Sequence, residues 1–304
     1  MRNGSKHNTS QLFDFARDSY FERTSRPIYA IVFLLPFIVF YELGTIFINT
    51  DLLNQTQVRV VAFVWLQKSL VYLGFGSKLA WAAPPLAVVT ILVALQLVSG
   101  KRWRFAPGDI WAMAVECVML AVPLIVLTLF MNSPSNPSRD TGRFTGAAVQ
   151  TRTMAGPSRL SAAHGGLSQP TNETDSVRPK TQSLLADIVT GIGAGIYEEL
   201  IFRLILILAL MLLFQDVLRF KRTSSIIISV LVSATLFSAH HHIDFLSGQL
   251  NQRDLFDWTE FTFRTIAGIY FAVLFAVRGF GITAGTHAFY DIIAVSIRAA
   301  FFQQ

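Results

Sequence analysis

Apolar runs long enough to cross a bilayer constrain this chain first. They lie at about 27–49, 79–99, 109–131, 184–215, 224–243, 262–278 and 281–299. A helix crosses the hydrocarbon core of a bilayer in about 20 apolar residues. The runs are continuously apolar, not alternating, which excludes a transmembrane barrel. Composition points the same way. Of 304 residues, 52% are hydrophobic and 14% charged, against about 25% charged in an ordinary soluble domain. Mean hydropathy is +0.48. The expected fold is all-α: a polytopic, multi-pass integral membrane protein with about seven or eight transmembrane helices.

The polar residues between the runs set the organisation. Residues 1–26 carry Arg2, Lys6, Arg17, Arg23 and Arg26 ahead of the first run. That run is too long for a signal-peptide core and no small-residue cleavage site follows it, so it should remain as an anchor. Residues 57–75 mix Arg59, Gln67 and Lys68 with Val, Phe, Trp and Leu, which suits a helix lying in the membrane plane better than a span. Residues 132–182 are rich in Ser, Thr, Gly, Pro and Asn and are expected to form a disordered extramembrane loop. Three parts result: N-terminal polar segment and anchor helices over 1–131, the loop over 132–182, and a C-terminal core over 183–304. With the N-terminus inside and 57–75 not spanning, the basic loops Lys101–Arg104 and Arg219–Arg222 also fall inside, as Lys/Arg in short loops should.

Charge and cysteine content exclude other classes. The net charge of +6 fits cytoplasmic Lys/Arg beside anionic lipid. No basic stretch is interleaved with stacking aromatics in a soluble segment, so nucleic acid is not an expected partner. A single cysteine, Cys117 within an apolar run, excludes a disulfide framework or cysteine metal cluster and is expected to pack.

Ionisable residues inside spans are costly and mark function by default. Glu42 and Glu116 lie in the N-terminal runs, but the C-terminal half holds the denser sites. Glu198 and Glu199 are adjacent in mid-run. Glu199 and Arg203 are four apart, the geometry of a helical ion pair. Glu198 shares a face with Gly191, Ala194 and Gly195, small residues that let another helix approach closely. Polar helix-packing contacts are the plainer account of this pair. In the next run, Ser233, Ala234, Phe237, Ser238 and His241 form a stripe. Consecutive helical residues diverge by about 100°, so His241 is expected to face inward and His240 and His242 to lie nearer the interface. In the last run, His287 and Asp291 are four apart and share a face. Glu198, His241 and His287/Asp291 thus sit on three spans and are enough to assemble one buried acid–base site.

Glu198-Glu199-x-x-Phe202-Arg203, Phe237-x-x-x-His241 and His287-x-x-x-Asp291 resemble the three signature motifs of the CPBP family. These are CAAX-protease and bacteriocin-processing, or ABI, intramembrane proteases related to the type II CAAX prenyl endopeptidase. The resemblance covers about residues 183–300. It implies a hydrolase: an endopeptidase cutting a peptide bond of a membrane-associated protein or peptide, with the lipid bilayer as its other partner. Carried over, Glu198 and His241 activate a water, His287 and Asp291 stand on the oxyanion side, and Glu199, Arg203, Phe202 and Phe237 support the site. The family often has Asn where this chain has Asp291.

No cofactor is expected, because no His-Glu-x-x-His pair is present. A zinc ion is the alternative, since family members are often described as metalloproteases; it would need Glu198, His241 and His287 to converge. Amide hydrolysis needs a base for the nucleophile and donors for the oxyanion, and these residue types supply both. Two other functions could use the same residues: a non-catalytic immunity or scaffolding protein of this fold, and a proton-coupled transporter. Retention of all the motif residues favours the enzyme over the first. Against the second, no Gly/Pro-broken helix pair occupies corresponding positions of two halves.

Overall fold

The computed structural model describes residues 16, 18–49, 56–58, 61–74, 82–131, 150–152, 180–244, 249–250 and 257–301. The helices are α1 (Tyr20–Thr24), α2 (Pro27–Asn49), α3 (Val61–Tyr72), α4 (Ala83–Ser99), α5 (Pro107–Met131) and α6 (Lys180–Glu199). α6 runs on through a π-helical stretch, Leu200–Ile207, then α7 (Leu208–Met211) and a second π-helical stretch, Leu212–Val217. α8 (Arg222–His242), α9 (Trp258–Arg278) and α10 (Phe280–Phe301) complete the core. Two short antiparallel strand pairs join Thr56–Val58 to Gln150–Arg152 and Ile243–Asp244 to Gln249–Leu250. Apart from Gln150–Arg152 and the first residues of α6, the loop expected over 132–182 lies outside the described residues.

Among the described residues, six helices are long and apolar enough to cross a membrane: Pro27–Ile48, Pro107–Met131, Leu184–Val217, Arg222–His242, Trp258–Arg278 and Phe280–Phe301. The protein is an all-helical, multi-pass integral membrane protein. α4 is also apolar but has only 17 residues, a reach of about 26 Å at 1.5 Å per residue. α3 has 12 residues and reaches about 18 Å, too short to cross a core of about 30 Å. It occupies the stretch read from sequence as an in-plane helix.

α10 is the centre of the packing, against α6, α5, α2 and α9. Its N-terminal half, from Phe280 to Ala288, is buried throughout. The contact with α6 is close because α6 offers glycine there. A methyl group at Gly195 would lie 2.5 Å from the backbone nitrogen of Ala288, and one at Gly191 would lie 2.6 Å from Cβ of Asp291. These are two of the small residues that the sequence places on the Glu198 face. Without hydrophobic drive between helices in lipid, such backbone approach carries much of the association.

An ionic network ties the N-terminal helix to this bundle. Arg278 donates to Glu116 through Nε at 2.6 Å and Nη2 at 2.8 Å, and through Nη1 to the Phe21 carbonyl at 3.1 Å. Tyr20 donates to the same Glu116 at 2.7 Å. Arg23 grips Asp109 with Nε and Nη2 at 2.9 and 3.0 Å. Burial opposes the charge of Glu22, yet hydrogen bonding from Arg26 and the nearby Lys101 hold its carboxyl below the ordinary value. Glu116 is therefore a structural charge. So is Glu42, which accepts from the Tyr197 hydroxyl at 3.1 Å. Cys117 is fully buried, with Sγ 3.5 Å from the Ile282 carbonyl.

Candidate active site

Glu198 and Glu199 stand where α6 gives way to the π-helical stretch. The wider i→i+5 bonding of such a stretch is rare and recurs at functional sites. Both carboxylates are buried, at 1% and 0% exposure, and the two have different surroundings.

Glu199 is held from two sides. Arg203 Nε lies 3.0 Å from its Oε2, with both side chains fully buried. The guanidinium is itself fixed, with Nη2 donating to the Gly268 carbonyl at 3.3 Å and the plane lying 4.1 Å from the Phe237 ring centroid. The other oxygen, Oε1, accepts from Nδ1 of His287 at 2.8 Å. The His287 ring stacks on Phe271 at 4.6 Å and 19°, and its Nε2 faces Asp291 Oδ2 at 3.6 Å. Arg203, Glu199, His287 and Asp291 thus form one chain across α6 and α10. Sequence spacing gives the two i,i+4 pairs at its ends; the link between them joins different helices.

Glu198 is not held in this way. Among the described residues, neither of its oxygens has a hydrogen-bond partner. The group facing it is His240, whose Nε2 lies 3.7 Å from Oε1, beyond hydrogen-bonding length, and is likewise unpartnered. Nδ1 of His240 meets the Phe237 carbonyl. A carbonyl only accepts, so Nδ1 carries a proton and Nε2 is the ring atom turned to Glu198. Two polar atoms with no hydrogen-bond partner among the described residues therefore face each other in a buried site. Buried polar groups are rarely left so. A water beside the pair, within reach of both atoms, can bridge them.

The expectation that His240 turns away from the site is corrected. His240 is buried at 5% exposure, and its ring contacts Phe202 at 4.7 Å and Phe237 at 5.5 Å. The reason is helical phase. The buried stripe of α8 runs Ser225, Ser229, Ser233, Phe237, and two turns from Ser233 are about 7.2 residues, which lands on 240. That arithmetic was available in the sequence; three adjacent histidines obscured it. His242 is also buried, against Phe261 at 6.0 Å. His241 is half-buried, its ring 3.9 Å from that of His240. Glu198, His240 and His241 each bring a ligand-type atom within 4.8 Å of the others. His287, expected to converge with Glu198 and His241, is not in that trio; its Nδ1 is engaged by Glu199.

The model of the type II CAAX prenyl endopeptidase Rce1-like family matches residues 180–293. Residues 180–293 are therefore similar to that family. The matched stretch nearly coincides with that of the motif resemblance and holds every residue named so far around Glu198 and Glu199. No curated protein and no solved structure matches the chain.

Two residues of the site carry no sequence signal. Phe271, under His287, comes from the Rce1-like segment but lies in a run with no polar marker near it. Trp65 comes from α3, outside the segment, and meets His240 edge-on at 5.7 Å and Phe202 at 6.3 Å.

Proposed function

We propose that this chain is an intramembrane endopeptidase of the CAAX-protease type, with Glu198 and His240 as the pair that activates water. The similarity of residues 180–293 to a family of endopeptidases supports the reaction class. The observation that supports the assignment of roles is Glu198 itself: a buried carboxylate with neither oxygen hydrogen-bonded among the described residues, facing Nε2 of a histidine whose Nδ1 proton is held by the Phe237 carbonyl.

In this reading a water sits beside Glu198 Oε1 and His240 Nε2, within hydrogen-bonding reach of both. Glu198 takes a proton as the water oxygen attacks the scissile carbonyl carbon. The tetrahedral intermediate then collapses, its C–N bond breaks, and the proton passes to the leaving amine. A positioned base contributes typically about 10²–10⁴ in rate. His287 is held through Nδ1 by Glu199; a proton on Nε2, favoured by the Asp291 carboxylate 3.6 Å away but not hydrogen-bonded to it, is the donor for the developing oxyanion. His241 adjoins the pair as a neighbouring ring.

A second reading rests on the approach of Glu198, His240 and His241 to within 4.8 Å. Those three would hold a zinc ion, and its chemistry would be to lower the pKa of a bound water. The substrate in either case is a peptide or protein of the membrane. Hydrolysis of a membrane-peptide library by purified protein, compared with Glu198→Gln, tests the reading. Equal cleavage by the two proteins would overturn it.

A further inference from the structure

We infer that Trp65 of the non-spanning helix α3 is a specificity-determining wall of the site, contacting the substrate side chain next to the scissile bond. The inference rests on the endopeptidase reading above.

α3 is docked around the Glu198 turn by two aromatic residues. Phe63 is fully buried and meets the Tyr197 ring edge-on at 5.0 Å and the Tyr41 ring at 5.9 Å. This anchors α3 to the residue immediately before Glu198. Two positions on, Trp65 turns to the other side and meets His240 and Phe202. Unlike Phe63, Trp65 is only half-buried, so part of its indole is exposed beside His240. The following residues, Val71, Tyr72 and Leu73, are exposed. α3 is therefore a short cover over the site, pinned at Phe63, with Trp65 as the side chain nearest His240.

Peptide geometry puts a substrate side chain within reach of Trp65. Consecutive Cα atoms are about 3.8 Å apart. A side chain adjoining the carbon attacked by a water on His240 therefore lies within roughly 4–7 Å of that imidazole. The Trp65 ring centroid is 5.7 Å from the His240 centroid, in the same shell. A flat indole beside a Phe ring recognises an apolar side chain. Discrimination by such a wall is worth about 10–200-fold per methylene-sized difference. The same contact acts on binding more than on proton transfer, since the Phe237 carbonyl already holds the Nδ1 proton of His240.

The test pairs kinetics with a signal from the indole. A set of membrane-soluble peptides differs only in Ala, Leu or Phe beside the cleaved bond. The wild-type protein should favour Leu or Phe over Ala in kcat/KM. Trp65→Ala should reduce that preference about tenfold or more, mainly through KM, and Trp65→Phe should restore most of it. In parallel, 5-fluorotryptophan is incorporated into Glu198→Gln, and the Trp65 resonance among the five tryptophans is assigned by its loss in Trp65→Phe. Saturation with the Leu peptide should shift that resonance. Unchanged preference in Trp65→Ala, or an unmoved resonance at saturation, would overturn the inference while leaving the peptidase intact. Cleavage of none of the peptides by wild type, or equal cleavage by Glu198→Gln, would instead remove the endopeptidase reading and the inference with it.

Discussion

Glu199 accepts a hydrogen bond of 2.8 Å from Nδ1 of His287, across the α6–α10 interface. That one contact separates the adjacent carboxylates by task. Glu199 is consumed by Arg203 and His287, and Glu198 is left with no hydrogen-bond partner among the described residues.

Removing either end of the Arg203–Glu199 pair should cost stability. Arg203→Ala or Glu199→Ala leaves a buried charge without its partner, a loss of roughly 3–5 kcal/mol. Melting in detergent should show both variants well below wild type. The double variant should be less impaired than the sum of the two singles. Additive losses would argue against coupling.

Of the three adjacent histidines, His240 should matter most to hydrolysis. His240→Ala is expected to lower kcat by about 10²–10⁴, and His241→Ala and His242→Ala by less. A larger loss in His241→Ala than in His240→Ala would return the base-pairing role to His241.

Asp291→Asn should change the pH profile. Nδ1 of His287 donates to Glu199, so a neutral ring would set the Nε2 lone pair against the Asp291 carboxylate 3.6 Å away. That carboxylate favours a proton on Nε2, and an imidazolium next to two carboxylates is the better donor to an oxyanion. Asn cannot help to hold that proton. Activity in the variant should fall more steeply as pH rises than it does in wild type. Superimposable profiles would mean that Asp291 acts as a neutral donor, as Asn would.

Gly195→Ala should loosen the interface that carries Glu199 and His287. The added methyl meets the backbone of Ala288 at 2.5 Å and the Ala284 carbonyl at 2.9 Å, so a helix must move. Overpacking of this kind costs about 1–3 kcal/mol. Gly108→Ala, where nothing lies within 4 Å of the added methyl, is the control. Equal melting temperatures for the two variants would contradict the close packing of α6 on α10.

The spans were legible because a bilayer demands continuous apolar length, and Leu184–Val217 or Phe280–Phe301 meets that demand in plain sequence. The Glu199–Arg203 pair was legible for a similar reason, since contacts within one helix follow its period. Gly191 and Gly195 marked the face that α10 approaches. What stayed hidden crosses between helices. Nothing in the spacing of residues 199 and 287 says that they touch, and nothing in Val61–Tyr72 ties Trp65 to His240. Helical phase counted from Ser233 accounts for the burial of His240, while the resemblance to Phe237-x-x-x-His241 points to His241 for the catalytic role.

Glu198→Gln is the most direct measurement. The substitution keeps size and hydrogen-bonding capacity but removes the base. Purified wild type should cleave a membrane-peptide substrate, before and after prolonged chelation. Glu198→Gln should melt at or near the wild-type temperature in detergent while losing about 10²–10⁴ of the rate. Wild-type rates in a folded Glu198→Gln protein would contradict the glutamate-base account. Loss of wild-type activity on chelation, restored by zinc, would shift it to the metal reading through Glu198, His240 and His241.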